Sequence, residues 1–98
     1  MPSRENNWLR GLDRWLDQQP RCFYINLHGS AWQKSGLPDR LILMDGRLIA
    51  VEAKQEGKQP TDLQKYILLQ IRRAGGYAVE GATSSAIVIT QILQIRGY

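Results

Sequence analysis

Residues 39–54 read Asp-Arg-Leu-Ile-Leu-Met-Asp-Gly-Arg-Leu-Ile-Ala-Val-Glu-Ala-Lys, and the way they pair decides the fold. Two apolar-rich runs, 39–44 and 47–53, flank Asp45-Gly46, a dipeptide suited to a two-residue hairpin turn. With those two residues at the turn, Leu43 faces Leu48, Leu41 faces Ala50 and Asp39 faces Glu52. A symmetric four-residue loop keeps the same pairing. Because side chains alternate, Asp39, Leu41, Leu43, Leu48, Ala50, Glu52 and Lys54 share one face. Ile42, Ile49, Val51 and Ala53 share the other. Both faces are mostly apolar, the pattern of a sheet covered by helices on both sides.

Outward from the hairpin, the remaining elements follow from period and punctuation. Ser3 is placed to cap a first helix with Glu5, Trp8, Leu9, Leu12, Trp15 and Leu16 on one face, ended by Pro20. Residues 22–27 read as a strand, and residues 29–38 as a loop of small and polar residues holding Trp32 and Lys34. After the break at 57–60, Thr61 opens a helix with Leu63, Tyr66, Ile67, Ile71 and Ala74 on one face. Gly75-Gly76 closes it. Residues 77–80 form a short strand. Residues 86–96 read as a helix capped by Ser84 or Ser85, although the β-branched run 87–90 also suits a strand. The order is α-β-β-β-α-β-α, an α/β domain with a mixed sheet and helices on its faces.

Ninety-eight residues make one domain, with no repeat, linker or low-complexity segment. Thirteen Lys and Arg against nine Asp and Glu give +4, a mildly basic balance that suits a polyanionic partner. The single cysteine, Cys22, forms no intrachain disulfide and indicates a reducing compartment. With only His28 beside it, Cys22 cannot build a four-ligand zinc site within one chain. Charges interrupt the opening stretch, so it does not read as a signal peptide. The apolar-leaning run 81–95 is too short and too polar to span a bilayer. The expectation is a cytoplasmic domain that does not enter a membrane.

The chemistry concentrates at the open end of the hairpin. Facing residues on antiparallel strands have Cβ atoms roughly 4.5–5.5 Å apart. Two carboxylates so placed repel each other, and partial burial raises the cost of ionising both. A divalent cation between Asp39 and Glu52 removes the conflict, and hard oxygen donors suit Mg²⁺ or Mn²⁺. Lys54, two residues beyond Glu52 on the same face, is placed to orient a water and to offset charge on a phosphate. The backbone carbonyl of Ala53 is a further candidate ligand. A plain reading also exists: a loop acid after Pro38, and Glu-x-Lys as an exposed pair of charges.

The run Gly36-Leu37-Pro38-Asp39, then Gly46, Val51-Glu52-Ala53-Lys54, Gln64 and Ala74-Gly75-Gly76-Tyr77 resembles a VRR-NUC domain of the PD-(D/E)XK nuclease superfamily. The resemblance covers nearly the whole chain and is to the small stand-alone members of virus and bacterial type. It implies a restriction-endonuclease-like fold. It also implies a metal held by Asp39, Glu52 and the Ala53 carbonyl, with Lys54 as catalytic lysine and Gln64 as the motif glutamine. Glu5 matches an acid on the first helix that completes such sites. The implied reaction is phosphodiester hydrolysis leaving a 5′ phosphate.

Other candidates have structural readings beside the functional ones. Thr61-x-x-Gln64 is also a capping box. Glu5 is favoured in a first helical turn by the helix dipole alone. Lys34, Trp32, Lys58, Lys65, Arg72 and Arg73 are candidate nucleic-acid contacts, although cations also favour a helix C-terminus. His28 reads as a strand-end hydrogen-bonder and Cys22 as a small core residue. The expected function is a Mg²⁺- or Mn²⁺-dependent DNA endonuclease acting on branched DNA such as four-way (Holliday) junctions. It would act as a homodimer, joined through the apolar last helix. The alternative is a basic nucleic-acid-binding module with the same fold and no turnover.

Overall fold

Asp45 and Gly46 both adopt left-handed backbone, with φ of 53° and 77°. A tight hairpin turn whose twist matches its strands requires that, and glycine carries no steric cost there. The computed structural model describes residues 7–97 and shows this turn joining β2 (Arg40–Met44) to β3 (Arg47–Ala53). The register pairs Leu43 with Leu48 and Leu41 with Ala50, as the alternation predicts. Around the hairpin lie α1 (Trp8–Asp17), β1 (Cys22–Asn26), α2 (Ala31–Lys34), α3 (Asp62–Arg73), β4 (Tyr77–Ala82) and α4 (Ser85–Arg96).

The four strands form one sheet in the order β1-β2-β3-β4. β1 and β2 pair antiparallel, and β4 joins β3 in parallel after the α3 crossover. The architecture is therefore α/β, with a mixed sheet flanked by helices. Leu9, Leu12 and Leu16 of α1 and Val88 and Ile92 of α4 pack against Ile42, Met44, Ile49, Val51 and Val79 on one face of the sheet. Each such buried side chain contributes roughly 1.5–3 kcal/mol relative to exposure. Trp8, Trp15 and Cys22 pack against this core while partly exposed.

Five expectations need correction. The loop 29–38 contains one helical turn, α2, because the Ser30 side chain accepts the Gln33 N–H and starts it. The strand β4 runs two residues further than expected, to Ala82. The inward side of α3 is centred on Leu68, with Gln64, Ile67 and Ile71 half-buried, whereas Leu63 and Tyr66 are exposed. The helix thus turns its Leu68 stripe to the sheet. The apolar run of α4 turns largely into the core: Val88 and Ile92 are fully buried, Ile89 and Ile95 pack beside them, and Ile87 stays exposed. Finally, helices do not cover both faces fully. Phe23 and Ile25 of β1 and Leu43 and Leu48 of the hairpin stay exposed on the side opposite α1 and α4. Ser3 and Glu5 lie outside the described residues. The described N-cap of α1 is Asn7.

Candidate functional site

Asp39 occupies a bend just before β2 and is completely buried. Its backbone carbonyl accepts the Leu27 N–H at 2.8 Å, which ties it to the end of β1. One carboxylate oxygen, Oδ2, accepts the Ala53 N–H at 2.8 Å, so the acid is pinned across the hairpin to the end of β3. The other, Oδ1, lies 2.8 Å from Nδ1 of His28 and also accepts from the Gln33 side-chain amide. The next residue anchors this corner from the other side. Arg40, 2% exposed, donates to both oxygens of Asp13 on α1 at 2.7 Å each. It also donates to the Asn26 side-chain oxygen and to the Asp39 carbonyl.

Glu52 stands on the neighbouring strand. It is 6% exposed, and its Oε2 is buried with no hydrogen-bond partner among the described residues. A buried, unpaired carboxylate is costly, so its protonation shifts instead. Burial first, then the charges of Asp39 and Glu80, push the Glu52 carboxyl up to about 8. Glu80 reaches this corner through the parallel register, which sets it beside Glu52. Its carboxylate accepts from Arg72 of α3 at 2.9 Å. Just past this pair the register shifts, and Ala53 aligns with Ala82. Gly81 is the extra residue, at φ 71°. Such a bulge bends the strand locally, and here it returns Ala82 to the core.

A cleft of about 320 Å³ opens on this corner, lined by Glu52, Ala53, Lys54, Lys58, Gln64 and Glu80 among others. Lys54 follows β3, is exposed, and makes no ion pair among the described residues. Gln64 has both of its readings. Its side chain accepts the Thr61 N–H at 2.7 Å while Thr61 Oγ1 accepts the Gln64 N–H, and the same residue lines the cleft. The structure thus gathers Glu52, Ala53, Lys54, Lys58 and Gln64 around one opening, with Asp39 buried beside them.

It does not bring the other candidates there. Trp32 and Lys34 sit on α2, exposed and away from the cleft lining. Arg73 and Lys65 are exposed on α3, and Arg72 is engaged with Glu80. Glu5 lies outside the described residues. Reading the sequence missed three participants: Glu80, Gln33 and the pairing of buried Arg40 with Asp13. His28 is a strand-end hydrogen-bonder, as expected, but its partner is Asp39 itself.

Among the described residues no three Asp, Glu, His or Cys side chains converge closely enough to hold a metal ion. A pair is nonetheless a sufficient protein contribution for a small hard cation. Mg²⁺ commonly uses one or two carboxylates and fills its shell with water and substrate phosphate. The unpartnered Oε2 of Glu52 and its charge coupling to Asp39 fit such an ion chemically. No protein-family model matches the chain, and no curated protein or solved structure matches it.

Proposed function

We propose that this chain is a divalent-metal-dependent DNA endonuclease with a restriction-endonuclease-like fold of the VRR-NUC type. The observation that carries the reading is the buried Glu52 carboxyl, unpartnered at Oε2 among the described residues and under the charge of a fixed Asp39, in the lining of a cleft that also holds lysines. Folding alone gives no reason to bury two acids together. A cation and a phosphate between them and the lysines do.

Asp39 and Glu52, with the Ala53 carbonyl, are the groups that would hold Mg²⁺ or Mn²⁺. The ion, when bound, supplies Lewis-acid polarisation of the phosphoryl oxygen and a lowered water pKa. Asp39 arrives preorganised, because the Ala53 N–H and the His28 ring already fix its carboxylate. Lys54 orients the attacking water and donates to the phosphoryl oxygen as negative charge grows there. Lys58, which also lines the cleft, meets a flanking phosphate. Gln64 keeps the first turn of α3 in place while lining the same opening. The compartment we propose is the cytoplasm. Among the described residues, no helix is long and apolar enough to cross a membrane.

A chain of this size has little surface with which to grip a duplex, so we propose that two copies act together on branched DNA such as four-way junctions. Support for pairing comes from the exposed row Phe23, Leu43 and Leu48 with Ile25, not from α4. Labelled junction, flap and linear duplex substrates, each with Mg²⁺, Mn²⁺ or EDTA, test the reading. Cleavage of the junction with either ion and none in EDTA is expected. Binding without cleavage under every condition would favour a module that grips DNA without turnover.

A further inference from the structure

The carboxylate of Glu80 is unaccounted for by the proposed reaction, yet it lines the same cleft as Glu52. Parallel pairing puts Glu52 and Glu80 side by side on adjacent strands. Two further observations bear on it. Glu52 is more than nine-tenths buried, and its Oε2 has no partner among the described residues, so an acceptor that none of them satisfies lies beside the cleft. Glu80, by contrast, is drawn aside: Nη1 of Arg72 holds it at 2.9 Å, and Nη2 of the same guanidinium donates to the Ala78 carbonyl. This ion pair is about two-fifths exposed on both sides, so solvent screening leaves it weak. A weak pair is easily exchanged.

We infer that Glu80 is a reserve cation ligand, which leaves Arg72 when a divalent ion enters the cleft and binds that ion together with Glu52. The inference rests on the reading of the cleft as a cation site and adds a residue to it. Exchange has two consequences. The ion gains a second carboxylate at the open side, and the Arg72 guanidinium is released at the cleft margin with its charge free for a phosphate. In the absence of an ion, the Arg72 pair offsets only part of the charge that Glu80 places beside Glu52. Arg72 thus acts as a competitor for the ligand, a positioning residue and not a catalytic one.

Titration of the full chain with Mn²⁺ alone, by calorimetry and by loss of the free-ion electron paramagnetic resonance signal, tests this. Glu80→Gln should weaken Mn²⁺ binding about tenfold or more, the scale of losing one ligand-shell group. Arg72→Gln should tighten it several-fold, because the competitor is gone. Glu80→Asp should fall between wild type and Glu80→Gln. If Glu80 serves only as a charged surface partner of Arg72, Glu80→Asp, which keeps the charge, binds Mn²⁺ like wild type, and that result overturns the inference while leaving the Asp39–Glu52 site standing. Circular dichroism melts confirm that each variant is folded before titration. Should wild type itself take up no Mn²⁺, the cation reading falls, and the inference with it.

Discussion

Glu52 makes a pH prediction whose sign follows from its surroundings. Its carboxyl is ordinary, at 4.5, in the unfolded chain and is pushed up to about 8 in the folded one, by burial first and then by Asp39 and Glu80. Between those values the folded state binds more protons than the unfolded state. Stability of the metal-free protein therefore falls as pH rises through this window and levels off above it. Thermal melts in EDTA from pH 5 to about 9 read this directly, spanning both ends of the shift. Wild type should lose melting temperature across the range, Glu52→Gln should lose much less, and equal losses would refute the assignment. At this scale the sequence revealed much of the centre. The dipeptide Asp45-Gly46 sets the register, and the register alone puts Asp39 and Glu52 at the same end of the hairpin. Glu80 was not legible, because its neighbour on β3 depends on where the α3 crossover returns the chain and no local pattern encodes that. The Gln33 contact escaped for a related reason: it depends on a single helical turn inside a stretch of small and polar residues.

Among the elements, the join between α1 and the sheet depends on one charged pair. Arg40 is buried and forks onto Asp13, while its remaining donors go to Asn26 and the Asp39 carbonyl. Removing one partner of a buried pair leaves the other charge uncompensated, at a cost of about 3–5 kcal/mol. Asp13→Ala should therefore destabilise the chain by about 3 kcal/mol, the lower end of that range because Asp13 is partly exposed. In a domain this small that lowers the melting temperature by more than about 10 °C. A shift of a degree or two would mean that the pair contributes little. The helices themselves were legible where caps and period agreed. Thr61 and Gln64 close a reciprocal box, and Ser84 caps α4. They were less legible where several stripes compete. On α3 the stripe through Leu63 and Tyr66 is as apolar as the one through Leu68, and only tertiary packing selects between them. Arg40 was overlooked for a comparable reason, since a charged residue at a strand end reads as exposed until its partner on a distant helix is known.

For the whole molecule, the uncovered side of the sheet is the feature with the largest consequence. Phe23 pairs with Leu43 and Leu43 with Leu48, so they form one cross-strand row, and Phe23 is 64% exposed. Contiguous exposed apolar surface of this kind marks an interaction site more often than scattered residues do. Among the described residues, β1 is also an edge strand of the sheet. Sedimentation equilibrium at roughly ten micromolar, a concentration at which a modest interface forms, should give a dimer for wild type and a monomer for Phe23→Lys. A monomeric wild type would leave paired cutting without support. The sequence suggested pairing through α4, whose Val88 and Ile92 fill the core, because an apolar helix reads the same whether it fills a core or waits for a partner. The catalytic claim is independent of assembly and can be tested alone. Single-turnover cleavage of a labelled four-way junction in Mg²⁺ should slow by at least about a hundredfold in Lys54→Ala and in Asp39→Ala, the scale of losing one positioned catalytic group, with DNA affinity changed only a few-fold. Cleavage by either variant at the wild-type rate would contradict the account.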